Sequence, residues 1–164
     1  MPTPPTLSRR SFLGGRKRNS DAIRPPWSPS EDVFTDQCRR CGDCISACET
    51  GVLIKGSGGF PEADFSRAGC TFCEQCNTAC GDRILTKQHE RWKILPQISQ
   101  QCLARNQIHC RTCQELCEVE AIRFELVPGG VALPEIDLSL CSGCGECVAD
   151  CPVEAIKMKK AVDK

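Results

Sequence analysis

Cys141-Ser142-Gly143-Cys144-Gly145-Glu146-Cys147-Val148-Ala149-Asp150-Cys151-Pro152 is the stretch on which the reading of this chain turns. Its cysteines are spaced C-x2-C-x2-C-x3-C. The same spacing occurs twice earlier, at Cys38, Cys41, Cys44 and Cys48 and again at Cys70, Cys73, Cys76 and Cys80. A further group, Cys102, Cys110, Cys113 and Cys117, keeps the closing three-residue gap but opens its first gap to seven residues. Together the four groups hold all 16 cysteines of the 164-residue chain.

The spacing has a physical reason. A cubane iron–sulfur cluster is a compact body with iron at its corners, so its thiolates must approach from different directions. A loop with cysteines at i, i+3 and i+6 wraps three corners while backbone N–H groups point inward at the sulfurs. The fourth cysteine has entered a helix and points away, and in bacterial ferredoxins it ligates the other cluster of a pair. Two rival readings fit less well. Zinc sites favour two C-x2-C pairs separated by a longer loop, since four ligands suffice for one tetrahedral ion. A disulfide scaffold gives no reason for a repeated x2-x2-x3 pattern. The sequence therefore predicts four [4Fe–4S] clusters, or three if the variant third motif is empty.

Composition fits a chain stabilised by metal. Hydrophobic residues make up 40%, but the cysteines inflate that figure, and there are only six Phe, two Trp and no Tyr. So small an apolar core is marginal by itself, metal binding then contributes directly to folding, and the metal-free chain is expected to be largely unfolded. Net charge is zero but unevenly spread. Arg9, Arg10, Arg16, Lys17, Arg18 and Arg24 face only Asp21 in residues 1–30, a balance of +5, which leaves −5 for the rest. Thiolate-ligated clusters add negative charge, on the order of −2 each when oxidised. The result is an acidic body with a basic arm, partly disordered, over residues 1–29.

Within that arm, Ser8-Arg9-Arg10-Ser11-Phe12-Leu13 imitates the head of a twin-arginine export signal. The apolar body such a signal needs is replaced by Gly14-Gly15-Arg16-Lys17-Arg18-Asn19-Ser20-Asp21. No stretch is long and apolar enough to span a membrane. The expectation is a cytoplasmic protein, where reducing conditions suit thiolates.

The flanks of the motifs repeat as well. Phe65, Ile98 and Ile136 precede the second, third and fourth motifs. Val52-Leu53-Ile54, Ile84-Leu85, Ala121-Ile122-Arg123-Phe124 and Ala155-Ile156-Lys157-Met158 follow the four in turn. Each unit reads as strand, cysteine loop, short helix, strand. Gly56-Ser57-Gly58-Gly59 and Pro128-Gly129-Gly130 are hairpin turns joining the first two and the last two units. Lys87 to Lys93 is polar and free of glycine, which suits a linker. The predicted fold is α+β: two ferredoxin-like (βαβ)2 domains, 30–88 and 94–160, around a linker at 89–93, each with two clusters. Crossed pairing, first motif with fourth and second with third, is the alternative.

In the third unit, residues 103–107 are an insertion, and Gln107 stands where a regular motif has cysteine. Either the excursion brings Cys102 to a full site, or the site has three protein ligands, or it holds a [3Fe–4S] form. His109, beside Cys110, reads as a surface histidine, and Trp27 and Trp92 as packing anchors. No nucleotide-binding, hydrolase or metalloprotease motif is present, so no independent enzyme activity is expected.

Beyond the motifs, the chain resembles the NapF family, ferredoxin-type proteins encoded with bacterial periplasmic nitrate reductases. The resemblance rests on Arg9-Arg10, on Ile23-Arg24-Pro25-Pro26-Trp27-Ser28, on the variant Cys102-x7-Cys110-x2-Cys113-x3-Cys117 and on the Cys151-Pro152 ending. Cys48, Cys80 and Cys117 depart from it by lacking that proline. The resemblance implies a cytoplasmic accessory protein, with no role for nucleic acid, that acts on the immature catalytic subunit of periplasmic nitrate reductase before export. It would help install that subunit's cluster or set its redox state. The alternative is a polyferredoxin relay carrying electrons to or from another electron-transfer protein.

Overall fold

The structure is a computed structural model that describes residues 22–81 and 83–161. The arginine-rich stretch 9–18, with its expected role as a basic arm, lies outside the described residues.

In the second half one series of elements occurs twice. β3 (Ile94–Ile98) leads into the third cysteine loop, α4 (Thr112–Glu115) and β4 (Ile122–Glu125). β5 (Leu133–Ile136), the fourth loop, α5 (Glu146–Ala149) and β6 (Ile156–Lys160) then repeat the series. β4 and β5 form an antiparallel hairpin, Ile122 opposite Ile136, turning at Gly129 with φ 69°. The outer strands β3 and β6 pair antiparallel, Ile94 opposite Lys160 and Ile98 opposite Ile156. Strand and helix segments are short because each loop must end close to where it began.

The first half keeps the hairpin but not the outer pair. β1 (Leu53–Lys55) and β2 (Pro61–Ala63) are antiparallel across the predicted glycine turn. A strand was expected on either side of this half, and neither forms. The first motif is preceded by a helix, α1 (Glu31–Gln37), followed by α2 (Asp43–Ser46) within the loop. The second motif carries α3 (Gln75–Cys80), and Ile84-Leu85 beyond it is buried but irregular. Residues 22–27, which composition had placed in the basic arm, stand where an outer strand would. The Ile23 carbonyl accepts from Ala63 N at 2.7 Å, the Trp27 carbonyl from Thr86 N at 3.2 Å, and Trp27 N donates to Arg91 O at 3.0 Å. Pro25 and Pro26 have no amide to donate, which is why this pairing never becomes a regular ladder.

The apolar core is concentrated in the first half. Trp27, Phe34, Val52 and Leu85 are all at most 4% exposed and cluster with Leu53, Phe65 and Ile94. Each such side chain contributes about 1.5–3 kcal/mol on burial. The second half's own cluster is only Ile122, Cys147 and Ile156, with half-buried neighbours. Trp92, within the predicted linker, is packed rather than free: its ring stands edge-on to Phe65 (5.4 Å) and Phe72 (5.6 Å), and its Nε1 donates to Arg24 O at 2.7 Å. Val148 and Met158 of the second half also pack against the first core. Among the described residues, no helix is long and apolar enough to cross a membrane.

Candidate metal centres

All sixteen cysteines carry free thiols. They are gathered in fours, and the grouping is not that of the sequence. Cys38, Cys41, Cys44 and Cys80 line one cavity of about 310 Å³. Cys102, Cys110, Cys113 and Cys151 line another, of about 20 Å³. Electrostatics outlines the remaining two. Burial raises the Cys70 thiol to about 11, and repulsion from Cys48 and Cys73 adds to this. Cys76, pushed up to about 12 by burial, feels Cys70 and Cys48. Cys147, also about 12 and chiefly from burial, feels Cys144, Cys141 and Cys117. In every group, three thiols come from one loop and the fourth is the closing cysteine of the unit joined to it by a hairpin: Cys80 at the end of α3, and Cys48, Cys117 and Cys151 just past α2, α4 and α5.

Local backbone conformation explains how the loops hold their sulfurs. Arg40, Phe72 and Gly143 each lie two residues past the first cysteine of a regular motif, and each has a left-handed φ of 57°, 54° and 75°. That conformation turns the residue's amide onto the thiol: Phe72 N donates to Cys70 Sγ at 3.4 Å, and the Arg40 and Gly143 amides serve Cys38 and Cys141 likewise. Burial raises the Cys38 and Cys141 thiols, and these amides oppose the rise. A similar device operates at the closing cysteines of the second half. Glu120 (φ 50°) and Glu154 (φ 49°) point the amides of Ala121 and Ala155 at Cys117 Sγ (3.3 Å) and Cys151 Sγ (3.2 Å). The shared Val-Glu-Ala-Ile is the sequence of this turn. Left-handed φ costs a non-glycine residue about 1–2 kcal/mol, and here that strain aims donors at sulfur.

The third loop reaches the same end differently. Residues 104–106 form a 3₁₀ turn, and Asn106 Nδ2 donates to the carbonyls of Gln100 (2.7 Å) and Cys102 (2.9 Å), pinning the excursion. Cys102 is thereby brought beside Cys113, whose thiol is raised to about 11 by burial and then by Cys102 and Cys110. Gln107 turns aside, accepting from Val131 N at 3.3 Å. His109 is exposed.

The donor set fits a polynuclear cluster better than a single ion. Among the described residues, no three Cys, His, Asp or Glu side chains converge tightly enough to hold one metal ion. Two of the four groups instead stand around cavities, as ligands to the separate corners of a cubane must, whereas tetrahedral zinc would draw all four to one point. Raised thiols stay protonated at neutral pH, so loading replaces their protons with metal.

Comparison with known proteins agrees. Residues 108–160 match the 4Fe-4S dicluster domain, leaving Cys102 and its excursion outside the match. Over 151 residues the chain is 44% identical to the ferredoxin-type protein NapF of Escherichia coli K12, covering 91% of this chain and 92% of that protein. NapF of Haemophilus influenzae is 45% identical, with 93% of each chain covered. This chain belongs to the NapF family of ferredoxin-type proteins. The ferredoxin-type protein NapG of Escherichia coli is a more distant relative, 30% identical over 84% of this chain and 69% of its own length. As a member of the NapF family with a 4Fe-4S dicluster match, the chain is a ferredoxin-type iron–sulfur protein.

Sequence reasoning marked every cysteine but missed the residues that orient them. Arg40 and Phe72 carry no signal, because only at the equivalent Gly143 does glycine betray a left-handed turn. Arg24, read as part of the arm, is a cation that opposes the rise of the Cys38 thiol.

Proposed function

We propose that this chain is a cytoplasmic iron–sulfur accessory protein that assists maturation of the catalytic subunit of periplasmic nitrate reductase before export. In this reading the two halves, 30–88 and 94–160, each hold two [4Fe–4S] clusters through the thiol groups described above. When bound, such clusters supply one-electron exchange and, at an open site, iron and sulfide that can be passed on. The chain's own residues hold the sulfurs, donate amides to them and cover them with Phe34, Phe72 and Trp92.

The observation that carries the reading, beside the family, is the openness of the first site. Its cavity is the larger one, Cys41 on its wall is exposed, and Arg39, Arg40 and Arg83 stand around it. An accessible thiol ringed by cations suits contact with an acidic surface on a partner, and opposite charges speed such encounters. A relay is the second reading, favoured by the direct contact between the second and fourth cysteine loops.

The test is recovery of the tagged full-length protein from anaerobic cytoplasm, with identification of the chains that co-elute. The immature catalytic subunit is expected, with binding weakened when Arg16, Lys17 and Arg18 are neutralised together. Recovery of the protein mainly from periplasm, or of membrane quinol-oxidising subunits alone, would overturn the maturation reading.

A further inference from the structure

The second and fourth cysteine loops meet although they are not consecutive in the chain. Between the halves, besides the packing of Val148 and Met158 on the first core, these two loops touch. Cys70 N donates to the Cys144 carbonyl at 2.8 Å, so two ligand residues of different halves share a main-chain hydrogen bond. Beside it, Gly69 N donates to Glu146 Oε2 at 2.9 Å.

The fit is close enough to require glycine on both sides. A Cβ at Gly69 would stand 2.7 Å from the Glu146 amide nitrogen. At Gly145, φ is +80° and a Cβ would run into the Phe65 ring. Phe65 is 5% exposed and packs on Trp92, so the junction belongs to the core and is not a surface touch. Within each half the paired sites are also neighbours: Cys76 lies near Cys44, and Cys147 near Cys113.

We propose that this junction makes the second and fourth sites the inner pair of a linear array whose ends are the first and third sites. Gly69 and Gly145 are the positioning residues that let the inner pair approach, and Glu146 accepts the Gly69 amide beside them. Charge on one inner site is felt at the other, because the intervening medium is protein and not screened solvent. The order first, second, fourth, third also places the open, arginine-ringed site and the variant site at opposite ends. This inference rests on the sites being filled, and an iron and sulfide count tests that condition separately.

The experiment uses the full chain, purified anaerobically. Hydrogen exchange on the unmodified protein should find the Gly69 and Cys70 amides protected, at least a hundredfold slower than open loop amides. Electron paramagnetic resonance of the dithionite-reduced protein should show magnetic interaction between the halves. Gly145→Val, which drives a side chain into Phe65, should abolish that part of the line shape while iron and sulfide stay at the wild-type level. Glu146→Gln should preserve the line shape and speed exchange at Gly69 alone. Should Gly145→Val lose iron, exchange in the unmodified protein decides. Unprotected amides at 69 and 70, or an iron-replete Gly145→Val with an unchanged line shape, would overturn the junction. Low iron in the wild type with both amides protected would instead overturn the reading of the sites and leave the loop contact standing.

Discussion

Replacing Arg24 with methionine should loosen the first half severely, although the residue is neither a cysteine nor part of the apolar core. Its side chain is 9% exposed and holds Glu31 with both arms of the fork, Nη2 to Oε1 at 2.6 Å and Nε to Oε2 at 2.9 Å. Nη1 donates to Pro61 O at 3.1 Å, and the guanidinium lies 5.3 Å from the Phe34 ring centre and 5.4 Å from that of Phe60. Methionine keeps much of the stem but none of this. Removing one partner of a buried pair costs about 3–5 kcal/mol, mostly because the other charge is left unpaired. Glu31 is 27% exposed and recovers some hydration, which points to the lower end of that range. Two ring contacts at about 0.5–1 kcal/mol each bring the loss to about 4 kcal/mol. Against a total stability of about 5–15 kcal/mol, that is a large share.

The assay is the rate at which cluster absorbance disappears from anaerobic protein in guanidinium. If most of the loss falls on the unfolding step, the rate rises by two to three orders of magnitude, since about 1.4 kcal/mol is tenfold. Iron should leave the first half before the second. Arg24→Lys, which keeps the charge and loses the planar fork, should fall between. A methionine variant within about fivefold of wild type would refute the claim that residues 22–27 are an integral clasp of the first half.

Cys48→Ser should damage the site of Cys70, Cys73 and Cys76, and Cys80→Ser that of Cys38, Cys41 and Cys44, lowering iron from roughly sixteen to about twelve per chain in each case; damage instead at Cys141, Cys144 and Cys147 would establish crossed pairing. Asn106→Ala frees the excursion that presents Cys102, and a three-iron signal or the loss of about four iron from the third site should follow, with no change expected at the other three. Trp92→Ala removes two ring contacts and a half-buried donor at a cost of about 3 kcal/mol, measured by the same absorbance decay; no change would mean that the 89–93 segment is a passive tether. Chelation of the iron leaves buried thiols whose folded values, about 12 for Cys44, Cys76 and Cys147, exceed those of an unfolded chain. The folded metal-free form thus binds more protons. What stability it has should persist below about pH 9 and fall toward pH 12, and circular dichroism showing a gain over that range would contradict the burial argument.

The second half was largely legible and the first was not, for reasons that lie in particular residues. From Ile94 to Lys160 the strands flank one turn signal, Pro128-Gly129-Gly130, and the Val-Glu-Ala-Ile at 119–122 and 153–156 fixes the same left-handed exit at Glu120 and Glu154. Cys147 lies inside the core there, with Cys113, Cys117 and Cys151 packed against it, so the pattern that marks candidate ligands also marks part of the core. In the first half, those two roles are separated. Phe34 on α1, Trp27 after two prolines and Trp92 in a polar stretch build a conventional core that no cysteine spacing announces. Pro25 and Pro26 deny the N-terminal segment a strand's hydrogen bonds, so periodicity has nothing to register, and Arg24 reads as one more basic residue until Glu31 is seen beneath it.

The excursion at 103–107 shows the limit from the other side. The spacing offered Cys102 as a candidate ligand, and the hydrogen bonds of Asn106 explain how so long a loop returns it to Cys113. The junction of Gly69 and Cys70 with Cys144 and Glu146 was invisible for a deeper reason: it joins residues more than seventy positions apart through backbone groups that every sequence possesses. Fold and ligands are written in side chains, whereas the order in which the sites touch is written in main-chain amides and in the two glycines that let them approach. A substitution at Gly145 is accordingly expected to leave all sixteen cysteines in place and still change how the two halves sense each other.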